Sequence, residues 1–109
     1  MKNEIGKLGD LRLIATNHCM KRFNQREIKP EEVLYVLYGR QKEIRLYYNM
    51  GALAYLSERL SFVFKVEKGH IVIITALNKY ADVDEKEVMI IWPNNLSKQE
   101  GGRYYARNY

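Results

Sequence analysis

The spacing of apolar and polar positions changes near residue 40, from a helical period to a period of two. In residues 16–28 the apolar side chains Cys19, Met20 and Phe23 gather between roughly 100° and 200° on a helical wheel with His18 at zero. Thr16 or Asn17 can cap this first helix by accepting a hydrogen bond from an orphan amide of its first turn. A second helix is expected over residues 31–38. Pro30 suits the first helical position, Glu31 and Glu32 sit near the positive end of the dipole, and Gly39 stops it. Val33, Leu34, Val36 and Leu37 give that helix a broad apolar face to lay on a sheet, while the first helix keeps a polar stripe free. Residues 11–14, before the first helix, read as a short strand or an apolar lead-in.

Beyond residue 40 four strands are expected, over 43–48, 52–57, 60–66 and 71–77, each rich in β-branched and aromatic residues. Leu60, Phe62, Phe64 and Val66 alternate with Ser61, Val63 and Lys65, so one face of the third strand belongs to the core and the other is partly open. The turns Asn49-Met50-Gly51, Glu58-Arg59 and Lys68-Gly69-His70 are too short for crossovers and make neighbouring strands antiparallel. The expected fold is therefore α+β, two N-terminal helices packed on a four-stranded antiparallel β-meander. Past residue 77 an acidic loop covers 82–87. Residues 88–92 read as a last strand or a helical turn, ended by Pro93. Residues 1–95 form one domain on this reading, and 96–109 a flexible tail that is basic and aromatic.

Composition narrows the function classes. The chain has 109 residues, 47% of them hydrophobic, enough for one core and too few for two ordinary domains. Eighteen Lys and Arg against thirteen Asp and Glu leave a formal charge of +5, a field that favours polyanionic partners. The lone Cys19 excludes an internal disulfide, and two histidines offer no zinc spacing, so neither metal nor cofactor is expected. The charged first ten residues do not read as a signal peptide, and no stretch is long enough for a membrane span, which places the chain in the cytoplasm.

The polar stripe of the first helix carries the chemistry. With His18 at zero, Arg22 falls near 40°, Arg26 near 80° and Gln25 near 340°, at about 100° per residue. An imidazole, two guanidinium groups and an amide beside the core boundary suit a bound phosphate better than a plain solvated face does. The plainer alternative is an exposed face whose arginines pair with Glu27, Glu31 or Glu32.

The run Thr16-x-His18-x-x-x-Arg22-x-x-Gln25-Arg26-x-Ile28, followed by Glu32-Val33, a strand pair and Ile73-Ile74-Thr75, resembles the bacterial domain-of-unknown-function family 4258 over residues 14–78. Members of that family are similar in layout to the barnase/RelE-like ribonuclease toxins. The resemblance implies a helical N-terminus on a four-stranded antiparallel sheet and an RNA-cleaving role, and it marks His18, Arg22, Gln25, Arg26 and Thr75. Two positions depart from the family pattern. Glu27 stands where a glycine is usual, which bears on the turn after the helix, and Lys29-Pro30 replaces a capping serine.

RNA cleavage without a metal needs a base for the 2′-hydroxyl, an acid for the leaving 5′-oxygen, and cations on the phosphorane. His18 is the first choice for proton transfer, Arg22 and Arg26 for phosphate binding. Thr75 would bring a hydroxyl under the helix. Tyr47, Tyr48 and Tyr55 would stack on bases, and Lys65 would add a phosphate contact from the open side of its strand. Each also has an ordinary structural role, as a strand threonine, core-edge tyrosines and a solvated lysine. The reading is a ribonuclease of the toxin type acting on single-stranded or ribosome-associated RNA, and held in check by an antitoxin or immunity protein. The alternatives are a non-catalytic nucleic-acid-, nucleotide- or protein-binding module of phage or mobile-element origin, and an interaction protein that binds through its tail.

Overall fold

The computed structural model describes residues 3–84 and 86–92. It opens on a hairpin, β1 (Glu4–Leu8) and β2 (Leu11–Ala15). The connection is the two-residue turn Gly9-Asp10, with Gly9 at φ 65°. A tight hairpin of this hand needs a residue in the left-handed region, which glycine enters without steric cost. Leu11, Leu13 and Ala15 point into the core and Arg12 points out, the alternation of a half-buried strand. Across the turn, Arg45 hydrogen-bonds Asp10 at 2.5 Å and thereby holds the Asp10 carboxyl below its ordinary range.

Helix α1 (Asn17–Gln25) starts at Thr16, whose hydroxyl accepts from the Cys19 amide at 3.0 Å. Its far end closes without the glycine that usually ends such a turn. Glu27 takes the left-handed conformation at φ 54°, the Ile28 amide donates to the Phe23 carbonyl at 2.9 Å, and both apolar side chains are buried. A non-glycine residue in this conformation costs energy that glycine does not. Glu27→Gly should therefore raise stability by about 0.5–1 kcal/mol, after allowing for the looser unfolded chain. Thermal melts would show a midpoint a few degrees higher, and a lower one would refute the account.

Helix α2 (Pro30–Tyr38) begins with proline at its first position. The Glu32 carboxylate accepts from the Lys29 backbone amide at 2.9 Å, so a glutamate does the capping where a serine was absent. Then come α3 (Gln41–Ile44) and one 3-10 turn, Arg45–Tyr47. The remaining strands are β3 (Leu53–Tyr55), β4 (Ser61–Glu67), β5 (His70–Leu77) and β6 (Met89–Trp92).

The strands form one six-stranded sheet in the order β1-β2-β5-β4-β3-β6. Pairs β1/β2, β5/β4 and β4/β3 are antiparallel, whereas β2/β5 and β3/β6 are parallel. This overturns the expectation of two helices on a four-stranded antiparallel meander, because the sheet is mixed, has six strands and carries three short helices. Three expected strands do form the antiparallel run β3-β4-β5, as their short turns require. The fourth, over 43–48, does not form. Its inward residues are Ile44, fully buried, and Tyr47, packed on the core edge, and that three-residue spacing is helical. Leu46, where alternation would demand burial, is 72% exposed. Of residues 88–92, Met89–Trp92 form the strand β6, which pairs beside β3. Pro93 and the expected tail 96–109 lie outside the described residues.

One face of the sheet carries the main core. Leu13, Phe62, Phe64, Ile71 and Ile73 meet Cys19 and Phe23 of α1 and Val33 and Leu37 of α2. Burial among these groups pushes the Cys19 thiol up to about 12, so it behaves as a small hydrophobe. On the opposite face a smaller cluster, Ala54, Leu56 and Ala81, packs with Val63, Leu77 and Val88.

Candidate functional site

Helix α1 is placed by the end of β2. The last parallel pairing of β2 with β5 is Ala15 with Ile73, and beyond it that edge of β5 has lost its strand partner. Backbone carbonyls cannot be left there unpaired without cost. The Thr16 amide donates to Ile73 O at 3.0 Å, the Thr16 hydroxyl to Ile74 O at 3.1 Å, and Arg26 Nη1 to Ala76 O at 2.6 Å. Thr16 and Arg26 bracket α1 and hold it against the strand edge. Asn78 adds a fourth tie from its side-chain amide to the Arg26 carbonyl at 3.2 Å.

Arg26, expected to bind phosphate, is thus a latch between the helix end and β5. Truncating it leaves a partly buried carbonyl without a donor, so Arg26→Ala should cost about 1.5–3 kcal/mol in urea unfolding. A loss below about 0.5 kcal/mol would make the latch superfluous.

The rest of the stripe is continuous. Arg22 Nε donates to His18 Nε2 at 3.2 Å, and Arg22 Nη1 donates to Gln25 Oε1 at 2.7 Å. His18 and Gln25 are exposed and Arg22 is half-buried between them. Because a guanidinium Nε always carries its proton, it donates here and His18 Nε2 accepts with its lone pair, an arrangement in which the ring hydrogen sits on Nδ1. The ion pairs found join Arg12 to Glu4 and Arg45 to Asp10, so no carboxylate among the described residues neutralises Arg22 or Arg26. The plain alternative, a stripe of arginines paired with Glu27, Glu31 or Glu32, is not what forms.

Beside Gln25 an open groove of about 530 Å³ is lined by Gln25, Arg26, Glu27, Ile28, Glu32 and Asn78. Two carboxylates, Glu27 and Glu32, line it and disfavour an anion there.

The other sequence candidates lie elsewhere. Thr75 pairs with Val63 on the sheet face opposite α1, so its hydroxyl does not come under the helix as expected. A bulge is responsible. Phe64 pairs with Ile73 while Val63 pairs with Thr75, which leaves Ile74 as the extra residue and reverses the parity along β5. Lys65 is exposed on that same far face, between the inward-pointing Phe64 and Val66. Tyr55 is buried, stacked on Phe62 with ring centroids 5.2 Å apart, and Arg40 lies 5.5 Å from its ring centre, so it has no exposed ring to offer a base. Tyr47 is half-buried at the edge of the core. Tyr48 is exposed and linked by an isolated bridge to Val66.

Helical periodicity was a sufficient signal for the His18–Arg22–Gln25 chain. No pattern in the sequence signals Asn78 or the latching of Arg26, since both depend on where β2 stops relative to β5. Among the described residues no three His, Cys, Asp or Glu side chains gather as a metal site would require, and no helix is long and apolar enough to cross a membrane.

Fold and stripe together define a mixed-sheet domain with an exposed imidazole–guanidinium–amide chain on its first full helix. Compared with protein-family models, curated proteins and solved structures, the chain matches none.

Proposed function

We propose that this chain is a small cytoplasmic ribonuclease of the toxin type, cleaving RNA by 2′-hydroxyl attack in steps that need no metal ion. The observation that carries the reading is the Arg22 guanidinium, unneutralised and held between His18 and Gln25. Protein arginines are permanently charged, and a fork with free N–H groups is matched to phosphate oxygens. The motif resemblance to domain-of-unknown-function family 4258 and the charge of +5 support the same choice of ligand.

In the proposed reaction His18 takes the proton from the ribose 2′-hydroxyl, and the 2′-oxygen forms a bond to phosphorus. The bond from phosphorus to the 5′-oxygen breaks, and the leaving oxygen takes a proton from water. Arg22 holds the non-bridging oxygens, where charge grows in the transition state and fixed donors are worth most. Gln25 positions Arg22. The product end is a 2′,3′-cyclic phosphate. An antitoxin or immunity partner would act by covering the stripe.

The purified protein should degrade single-stranded RNA in the presence of a chelator and leave cyclic phosphate ends, and its induced expression should arrest growth. Intact RNA and normal growth would overturn the reading. One observation favours a second reading, a non-catalytic nucleic-acid- or nucleotide-binding module. The stripe brings a single proton-transfer group together with Arg22, where in-line cleavage is best served by two. RNA binding at the stripe without cleavage would establish it.

A further inference from the structure

We infer that Arg22 is a shutter over the base: it occupies His18 Nε2 in the free protein, and a bound phosphate or sulfate group draws it away, so that anion capture uncovers the nitrogen that must take a proton. This inference rests on the proposed function for its purpose, although its chemistry is that of any tetrahedral oxyanion. The contact is a single hydrogen bond from Arg22 Nε to Nε2 at 3.2 Å, on an exposed surface. The other ring nitrogen carries the proton, so with Arg22 in place the imidazole has no free lone pair.

An arginine grips an oxyanion best with two parallel N–H bonds, and the Nε–Nη2 edge of Arg22 is one such fork. The opposite side of the group, Nη1, is already held by Gln25 at 2.7 Å. An anion reaching the Nε–Nη2 edge therefore competes with Nε2 for the same Nε–H. A charged acceptor wins over a neutral one, because charge-assisted hydrogen bonds are roughly twice as strong. Gln25 acts as the pivot, keeping the guanidinium on the stripe while its other edge changes partner.

The local charges reinforce the coupling. Around His18 the charged groups on α1 are Arg22 and Lys21, both cationic. From β2 and β5, the strands packed on α1, the groups turned to the helix are the carbonyls of Ile73, Ile74 and Ala76, none of which titrates. From just before β1, Asn3 reaches Asn17 with a neutral amide. An anion seated at Arg22 lowers the repulsion that a proton on His18 would meet, and the freed Nε2 is the site where that proton goes. Anion binding and proton uptake must then strengthen each other by the same factor.

The test is ring-nitrogen NMR of the full chain with inorganic sulfate, against chloride at equal ionic strength and fixed pH 7. His70 is the internal control, since its Nδ1 lies 3.0 Å from Lys68 O at the start of β5, remote in the chain from the stripe. Sulfate should move the His18 ring signals toward the imidazolium and leave those of His70 in place. In Arg22→Ala the His18 response should vanish. Equal responses of the two histidines, no response of His18, or a response that survives in Arg22→Ala would each overturn the shutter. RNA cleavage is scored separately: cleavage with an unresponsive His18 defeats only the shutter, and a responsive His18 without cleavage defeats only the nuclease.

Discussion

His18→Ala is expected to lower the rate of the proposed RNA cleavage by about 10²–10⁴-fold, the usual contribution of one general acid–base group. The side chain is exposed and its hydrogen bond is to another exposed-face group, so the same substitution should change folding stability by no more than about 0.5 kcal/mol. That separation gives the experiment its force. A single-turnover assay on RNA would report the loss, and urea unfolding would confirm that the variant is intact. Arg22→Ala should lose a comparable amount, about 10²–10³-fold, by removing the donor aimed at the developing charge. Gln25→Ala should lose less, since it positions the guanidinium without touching the reacting atoms. Activity that survives both His18→Ala and Arg22→Ala would place the reaction elsewhere on the surface and remove the central argument for a nuclease at this stripe.

The second large effect is on the fold. Phe64→Ala should destabilise the chain by about 3–5 kcal/mol, the range for deleting a buried aromatic ring. Phe64 sits in the middle of the sheet with no exposed surface, opposite Ile73 and 5.5 Å from the Phe62 ring. Its removal leaves a void where strands from the N-terminal hairpin and the C-terminal half share one core, so little can collapse to fill it. For a domain whose total stability is about 5–15 kcal/mol, such a loss brings the variant near the unfolding threshold. The urea midpoint should fall sharply with an unchanged slope. A loss under about 1.5 kcal/mol would mean that the ring is not packed as described.

The polar stripe of α1 is legible in the sequence and its neighbours are not, for reasons that lie in particular residues. His18, Arg22 and Gln25 lie within one short helix, so their mutual placement follows from the helical repeat and needs nothing from the rest of the chain. Thr16 was recognisable as a cap, yet its second bond, to Ile74 O, reaches across 58 positions and was invisible. Thr75 illustrates the opposite failure. Its expected face came from simple alternation, and the bulge at Ile74 reversed the parity. Lys65 keeps the open side that alternation along β4 assigns it, but that side lies away from α1, and Tyr55 turns into the core against Phe62, which depends on how β3 pairs with β4.

Taken alone, the sequence determined the two main helices, the antiparallel run β3-β4-β5, the core residues of β4 and the polar stripe of α1, all of which follow from local periodicity and turn length. Only tertiary structure decided that β2 lies parallel beside β5, that the first residues become an edge strand, and that residues 43–48 abandon the sheet for a helical turn. It also decided that Arg26 serves a strand edge while Arg22 remains on the surface. The β2/β5 pairing and the capping of that edge join residues 50 or more positions apart, and their energy depends on which backbone groups the completed sheet leaves without a partner.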